Sequence, residues 1–171
     1  MEPLFWIILL VLGVSLVYDV RYHRIPNWLT LPAIMAGVVY HAYAGGIGGL
    51  TGSLLGMFLG FAVFVGFYLA GGMGAGDVKL MAAVGAFLGP QKVLFAALYT
   101  VIAGGIYAIF LFTTHKGARA MAVRYARMIK GVVSTGHFVF IPKGKTEEGA
   151  RLYYAIAIAA GTLAVLVERL I

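Results

Sequence analysis

Residues 47–77 read IGGLTGSLLGMFLGFAVFVGFYLAGGMGAGD, a long apolar segment without a charge that ends in a glycine-rich break and an aspartate. The apolar part, residues 47–70, has the length that an α-helix needs to cross a bilayer, about 20 residues. Glycine recurs in it at every fourth position, at Gly48, Gly52, Gly56 and Gly60. This ridge of small residues predicts close packing against another helix, and the functional alternative is a hinge or a path for substrate.

The rest of the chain continues this composition. Of 171 residues, 62% are hydrophobic and 11% are charged, whereas soluble domains have about 45–50% apolar and about 25% charged residues. A soluble domain, a disordered chain and a coiled coil are therefore excluded. With the segment above, the apolar stretches predict an all-α polytopic membrane protein with about six transmembrane helices in one domain, residues 1–171; the other five cover residues 4–20, 28–44, 77–89, 93–114 and 152–170.

A polar segment at about residues 115–151 interrupts the apolar pattern. On a helical wheel its first part predicts an amphipathic helix with one basic and one apolar arc. Such a helix lies on an anionic membrane surface, and a docking surface for a protein partner is the alternative. The basic arc has Lys116, Arg119, Arg124, Arg127 and Lys130, and the apolar arc has Met121, Tyr125, Met128, Ile129 and Val132.

The basic residues also predict an orientation. The net charge of +7 does not indicate a nucleic-acid partner, because the charges fall in the loops of a membrane protein, where they set topology and contact anionic lipid. With six spans, eleven of the thirteen Lys and Arg residues fall on one side, and Lys92 and Arg169 on the other. That bias places the polar segment in the cytoplasm and both termini outside.

The chain has only two aspartates, and the six-span model brings both to the cytoplasmic ends of helices. Asp19 ends the first span and Asp77 begins the fourth. Each could be a helix-end anchor solvated by lipid headgroups, but an ionisable residue at membrane depth favours a functional site. Two carboxyl groups in close contact share a proton, so one can activate water while the other protonates a scissile amide. The pair therefore predicts peptide hydrolysis without a metal or other cofactor.

Three neighbours of Asp77 are candidate substrate-binding residues. Gly74 and Gly76 lack side chains, so another backbone can approach closely there. Lys79 points away from Asp77 on an ideal helix and is expected to be mainly an anchor on the cytoplasmic side, with an interaction with the aspartate pair or with a substrate carboxylate as the alternatives. The chain has no cysteine, and its four histidines show no ligand spacing. We therefore expect no metal site.

Two motifs resemble those of type IV prepilin peptidases. Residues 19–27, from Asp19 through Ile25-Pro26-Asn27, are similar to the family's Asp-x5-Ile/Leu-Pro-Asn/Asp motif. Residues 74–80, Gly-Ala-Gly-Asp-Val-Lys-Leu, are similar to its Gly-x-Gly-Asp-x-Lys-Leu motif, of which the Gly-x-Gly-Asp part is shared with presenilin-type membrane aspartyl proteases. At the start of the sixth span, Tyr153-Tyr154-Ala155 stands where members often have Pro-Tyr-Gly.

The resemblance implies that Asp19 and Asp77 are the catalytic pair of an aspartyl endopeptidase. It implies cleavage of a short basic leader from prepilin-like, single-span proteins at the cytoplasmic face of the cell membrane. Long members carry a cysteine-bearing, zinc-binding segment and also methylate the new N-terminus. This cysteine-free chain resembles the short, peptidase-only members of tight-adherence pilus systems.

Two other functions are compatible with the composition. A proton- or cation-coupled transporter could use the same carboxylates, but it would be expected to have more polar residues deep in its spans and an internal repeat. A non-enzymatic scaffold of a pilus assembly machine would use the basic helix and would leave the aspartate pair unexplained.

Overall fold

The computed structural model describes residues 3–70, 72–114, 123–124, 126–128, 130–131, 134 and 153–168. Five long helices and no strand are found among these residues: α1 (Pro3–Tyr22), α2 (Asn27–Leu69), α3 (Ala75–Leu88), α4 (Pro90–Thr114) and α5 (Tyr154–Glu168). The chain divides into two compact units, Met1–Ala103 with Tyr153–Ile171, and Gly104–Leu152. The single domain over residues 1–171 stays a prediction.

Helix α2 is two helical arms joined at a sharp break. Gly46 has φ 56° and ψ −141°, a conformation that favours glycine and interrupts the helix. The arms cover residues 27–45 and 47–69, which agrees with the predicted second and third helices. They lie close together at the break, because a Cβ at Gly49 would collide with the carbonyl oxygen of His41.

Half of the glycine ridge packs on α3. A Cβ at Gly56 would collide with the carbonyl oxygen of Gly85, and one at Gly60 would collide with that of Met81. At Gly48 and Gly52 no atom of the described residues lies within 4 Å of an added Cβ. The packing interpretation of the ridge is therefore confirmed for its second half.

Helix α3 lies between the two arms of α2 and is buried around almost its whole circumference. The first arm runs in the same direction as α3, since Ile25, two residues before the arm, meets Gly76 and Gly37 within it meets Ala86. The second arm runs in the opposite direction along the glycine ridge. Every residue of α3 from Asp77 to Phe87 is buried except Lys79. A helix that is apolar on all sides suits this central position.

The end of α3 confirms its predicted stop. Gly89 has φ 78° and its N–H donates to the carbonyl oxygen of Gly85 at 2.9 Å. Pro90 then begins α4, a position where its missing N–H costs nothing. A glycine followed by a proline is a strong helix boundary signal in a sequence, because glycine readily takes the positive φ that ends a helix.

Helix α1 is apolar all round but buries one stripe. The buried residues recur at intervals of three and four, as expected for one face of a helix: Leu4, Ile8, Val11, Leu12, Ser15 and Asp19. Asp19 is thus the last member of the stripe that faces the protein. Trp6, Leu10 and Val17 on the other side are 58–64% exposed, which suits contact with lipid.

The chain is an all-α membrane protein. Leu4–Tyr22, Asn27–Leu69 and Pro90–Leu111 are each long and apolar enough to cross a bilayer. The break at Gly46 divides the second of these into two arms of about the length of one span each. The six-span arrangement stays a prediction.

Part of the predicted amphipathic helix falls among the described residues. Those between 123 and 134 are helical, with Met128 buried and with Arg127 and Lys130 exposed, in agreement with the two arcs. Arg124 is only 5% exposed, so its assignment to the basic surface arc is wrong. It lies one helical turn before Met128 and therefore shares the buried face. Lys116, Arg119, Met121, Tyr125, Ile129 and Val132 lie outside the described residues.

The glycine contacts predict different effects at two positions of one helix. Gly56→Ala should lower the free energy of unfolding by about 1–3 kcal/mol, because its methyl group would push the second arm away from α3. Gly52→Ala is the matched control, one turn earlier with open space at Cβ, and should be neutral or slightly stabilising. Thermal unfolding of the two variants in detergent measures the difference. Equal stability would show that α2 and α3 do not pack at Gly56.

Candidate active site

Asp19 reaches the bundle interior at the end of the buried stripe of α1. Its side chain is 8% exposed. Its Oδ2 accepts a hydrogen bond from the backbone N–H of Ala155, at 3.2 Å, in the first turn of α5. The first N–H groups of a helix have no partner within the helix and carry its positive dipole end. The start of α5 therefore solvates and orients the Asp19 carboxyl group.

Asp77 is held in the same manner at the start of α3. Its side chain is 7% exposed. Its Oδ2 accepts a hydrogen bond of 2.9 Å from the backbone N–H of Gly74, the residue that precedes the helix. In return the N–H of Asp77 donates to the carbonyl oxygen of Gly74 at 3.1 Å. This reciprocal pair fixes both the helix start and the carboxyl group.

The fold brings the two aspartates together. Asp19 and Asp77 lie on different helices and far apart in the chain, yet their carboxyl groups are close enough for an electrostatic interaction. Both lie at helix ends, as the sequence predicted. Two buried carboxyl groups that repel each other do not readily ionise together, so one is able to accept a proton while the other donates one.

The two candidate glycines have different surroundings. Gly76 lies against the loop before α2, because an added Cβ would be 2.9 Å from the Cβ of Ile25 and 3.2 Å from its backbone N and O. Gly74 is exposed, and an added Cβ would be 3.3 Å from Oδ2 of Asp77. The bare backbone of Gly76 is thus occupied by the chain itself, and only Gly74 presents its backbone to the surroundings.

Lys79 points away from the aspartates, as expected, and contacts the loop of the first motif. Its Nζ donates a hydrogen bond of 2.8 Å to Oδ1 of Asn27, the first residue of α2. The two motifs that the sequence places far apart are therefore joined by direct contacts. Asn27 closes the first motif, but the spacing of that motif does not predict its contact with Lys79.

Two further residues beside Asp19, His23 and Tyr153, lie in motif-like stretches, but the spacing of those stretches predicts no contact between them. His23 has φ 52°, unusual for a residue with a side chain. Its N–H donates to the carbonyl oxygen of Asp19 at 2.9 Å, and its ring stacks on Tyr153 with centroids 5.2 Å apart. This stack joins the loop after α1 to the residue before α5. It therefore stabilises the approach of Ala155 to Asp19.

Potential metal ligands do not cluster in the part of the chain that the structure describes. Within it, no three His, Asp or Glu residues lie close enough together to hold a metal ion.

Comparison with known proteins identifies the family. The family model for the type IV leader peptidase family matches residues 6–109, a segment that includes both aspartates. The chain belongs to this family.

Curated relatives carry one shared name. A prepilin leader peptidase/N-methyltransferase of Aeromonas salmonicida strain A449 is 34% identical over 100 residues, which cover 54% of this chain and 34% of that protein. One of Escherichia coli K12 is 35% identical over 99 residues, covering 54% of this chain and 44% of the relative. One of Bacillus subtilis 168 is 29% identical over 116 residues, covering 66% and 46%.

The chain thus matches less than half of the length of each of these relatives. No solved structure matches it.

Proposed function

We propose that this chain is a membrane aspartyl endopeptidase that removes the short basic leader from prepilin-like proteins at the cytoplasmic face of the membrane. The observation that carries the proposal is the pair of buried aspartates, Asp19 and Asp77, held within electrostatic range of each other in a member of the type IV leader peptidase family. The names of the relatives state a leader peptidase and an N-methyltransferase activity for those proteins. The aspartate pair supports the peptidase activity for this chain.

The proposed reaction uses the pair as one unit. The ionised carboxylate takes a proton from water while the oxygen of that water bonds to the scissile carbonyl carbon. The protonated carboxyl group then donates its proton to the departing amide nitrogen, and the C–N bond breaks. The products are a free carboxyl group on the leader and a new amino terminus on the pilin.

The position of the pair favours a cut near the end of a substrate helix. Both aspartates lie in terminal turns of helices, and the exposed backbone of Gly74 lies beside Asp77. An extended substrate segment that enters here meets no side chain at position 74. A pilin-like substrate would therefore be cut where its single hydrophobic helix ends. Its backbone must be extended there so that the scissile bond can lie between the two carboxyl groups.

The alternatives lack comparable support. A coupled transporter could use the same carboxylates and a non-enzymatic scaffold would not need them, but the match to a leader peptidase family favours neither.

The activity proposal predicts the effect of two isosteric changes. Asp19→Asn and Asp77→Asn should each reduce cleavage of a prepilin by about 1,000-fold or more, because an amide cannot exchange the required proton. The amide Oδ1 can still accept the hydrogen bonds from Ala155 and Gly74, so both variants should fold. The double variant should be no worse than either single one.

Purified protein in detergent, a synthetic prepilin peptide and mass spectrometry of the products measure these rates, and thermal unfolding checks the fold. Robust cleavage by either folded single variant would refute the pair as the catalytic unit.

The charge bias supports a cytoplasmic location of the site. We propose that both termini lie outside and that the polar segment at about 115–151 lies in the cytoplasm, with the exposed Arg127 and Lys130 contacting anionic lipid. The substrate's basic leader is not expected to bind this like-charged surface.

Cysteine accessibility tests this topology, since the chain has no native cysteine to remove. A cysteine at Ser134 should resist a membrane-impermeant maleimide in intact cells and react after the cells are opened. A cysteine at Gln91, exposed at the start of α4 on the predicted outer side, is the matched control and should react in intact cells. The reverse pattern would overturn the topology.

A further inference from the structure

The loop that follows Asp19 is attached to the helix that carries Asp77 through two neighbouring contacts. Ile25 packs against the bare backbone of Gly76. Asn27, two residues after Ile25, accepts a 2.8 Å hydrogen bond from the ammonium group of Lys79, three residues after Gly76. The contacts thus run in the same order along both segments, 25 with 76 and 27 with 79.

Lys79 is poorly placed to contact the reacting bond. It follows Asp77 by two positions, which puts its side chain about 200° around the helix from the carboxyl group. It is the one residue between Asp77 and Phe87 that is not buried. Its side chain leaves the outer surface of α3 and reaches the beginning of α2 instead of the space beside the aspartates.

The location of this contact connects it to the separation of the two carboxyl groups. Asp19 lies in the last turn of α1 and Asn27 begins α2, and the short loop between the two helices, residues 23–26, contains His23 with an unusual φ and Pro26 in an extended conformation. Such a loop transmits the position of Asn27 to the end of α1. Fixing Asn27 on the first turns of α3 therefore fixes Asp19 relative to Asp77.

We propose that the Lys79–Asn27 hydrogen bond is a positioning device that sets the separation of the two aspartates, and that Lys79 is not a substrate contact. The inference rests on the proposed peptidase activity for its kinetic consequence. Its structural consequence, the separation of positions 19 and 77, does not depend on activity.

The kinetic test separates positioning from substrate binding. Lys79→Met and Asn27→Leu should each lower kcat for a prepilin peptide about ten- to a hundredfold with little change in KM, as expected for a lost hydrogen bond to a charged group that aligns reacting groups. The double variant should resemble the single ones, because the residues act as a pair. Asn27→Asp keeps an acceptor for Lys79 and should retain more activity than Asn27→Leu. Lys92→Met, an exposed lysine at the start of α4, is the control.

The structural test uses the cysteine-free chain. The double variant Asp19→Cys, Asp77→Cys should form a disulfide on mild oxidation. Adding Lys79→Met should slow this reaction at least about tenfold by moving the pair apart, whereas adding Lys92→Met should not. Gel mobility after alkylation measures the rates.

The outcomes are distinct. A raised KM with unchanged kcat in Lys79→Met would make Lys79 a substrate contact and overturn the proposal. Equal oxidation rates with and without Lys79→Met, or no disulfide in any background, would overturn it as well. A wild-type protein that cleaves no prepilin while the oxidation rates differ would refute the peptidase activity and leave the positioning role supported.

Discussion

The arrangement depends on the burial of two carboxyl groups inside an apolar bundle. A buried carboxyl group without a hydrogen-bond partner costs several kcal/mol, so each one must be given a donor by the fold. Here both donors are backbone N–H groups where a helix begins, that of Gly74 for Asp77 and that of Ala155 for Asp19. These donors need no additional polar side chain, which suits a chain in which few side chains are charged. The starts of α3 and α5 must therefore reach the end of α1, and this requirement fixes how the helices associate.

Close backbone packing makes that association possible. Because α3 lies between the two arms of α2, its distance from the second arm is set by Gly56 and Gly85, whose backbones meet with no side chain between them. At the other end of α3, Gly76 lies against Ile25 in the loop before α2. The first arm also brings Asn27 to Lys79, so the turn after Asp19 and the helix of Asp77 form one assembly. Near Asp77, Gly76 thus packs against the loop before α2, whereas Gly74 donates a hydrogen bond to the carboxyl group of Asp77.

Much of this could be predicted from the sequence, because hydrophobic length, glycine breaks and the scarcity of acidic residues are local signals. They predicted the helix order, the break near Gly46, the stop at Gly89 and the two aspartates at helix ends. They could not predict that Ala155 donates to Asp19 or that Asn27 binds Lys79, since such contacts depend on the tertiary approach of distant segments. The burial of Arg124 was missed for a related reason. The helical wheel shows a continuous basic arc. The 3.6-residue period does not determine which edge of that arc is buried, because burial depends on packing.

The central claim is that the two aspartates act as one proton-sharing unit, and the pH dependence of kcat/KM tests it most directly. For the purified protein and a prepilin leader peptide, the account predicts a bell-shaped profile. The rate falls at low pH when both carboxyl groups are protonated and at high pH when both are ionised, since one of each form is needed. A profile with a single ionisation, or one that does not change across the stable pH range, would contradict the account.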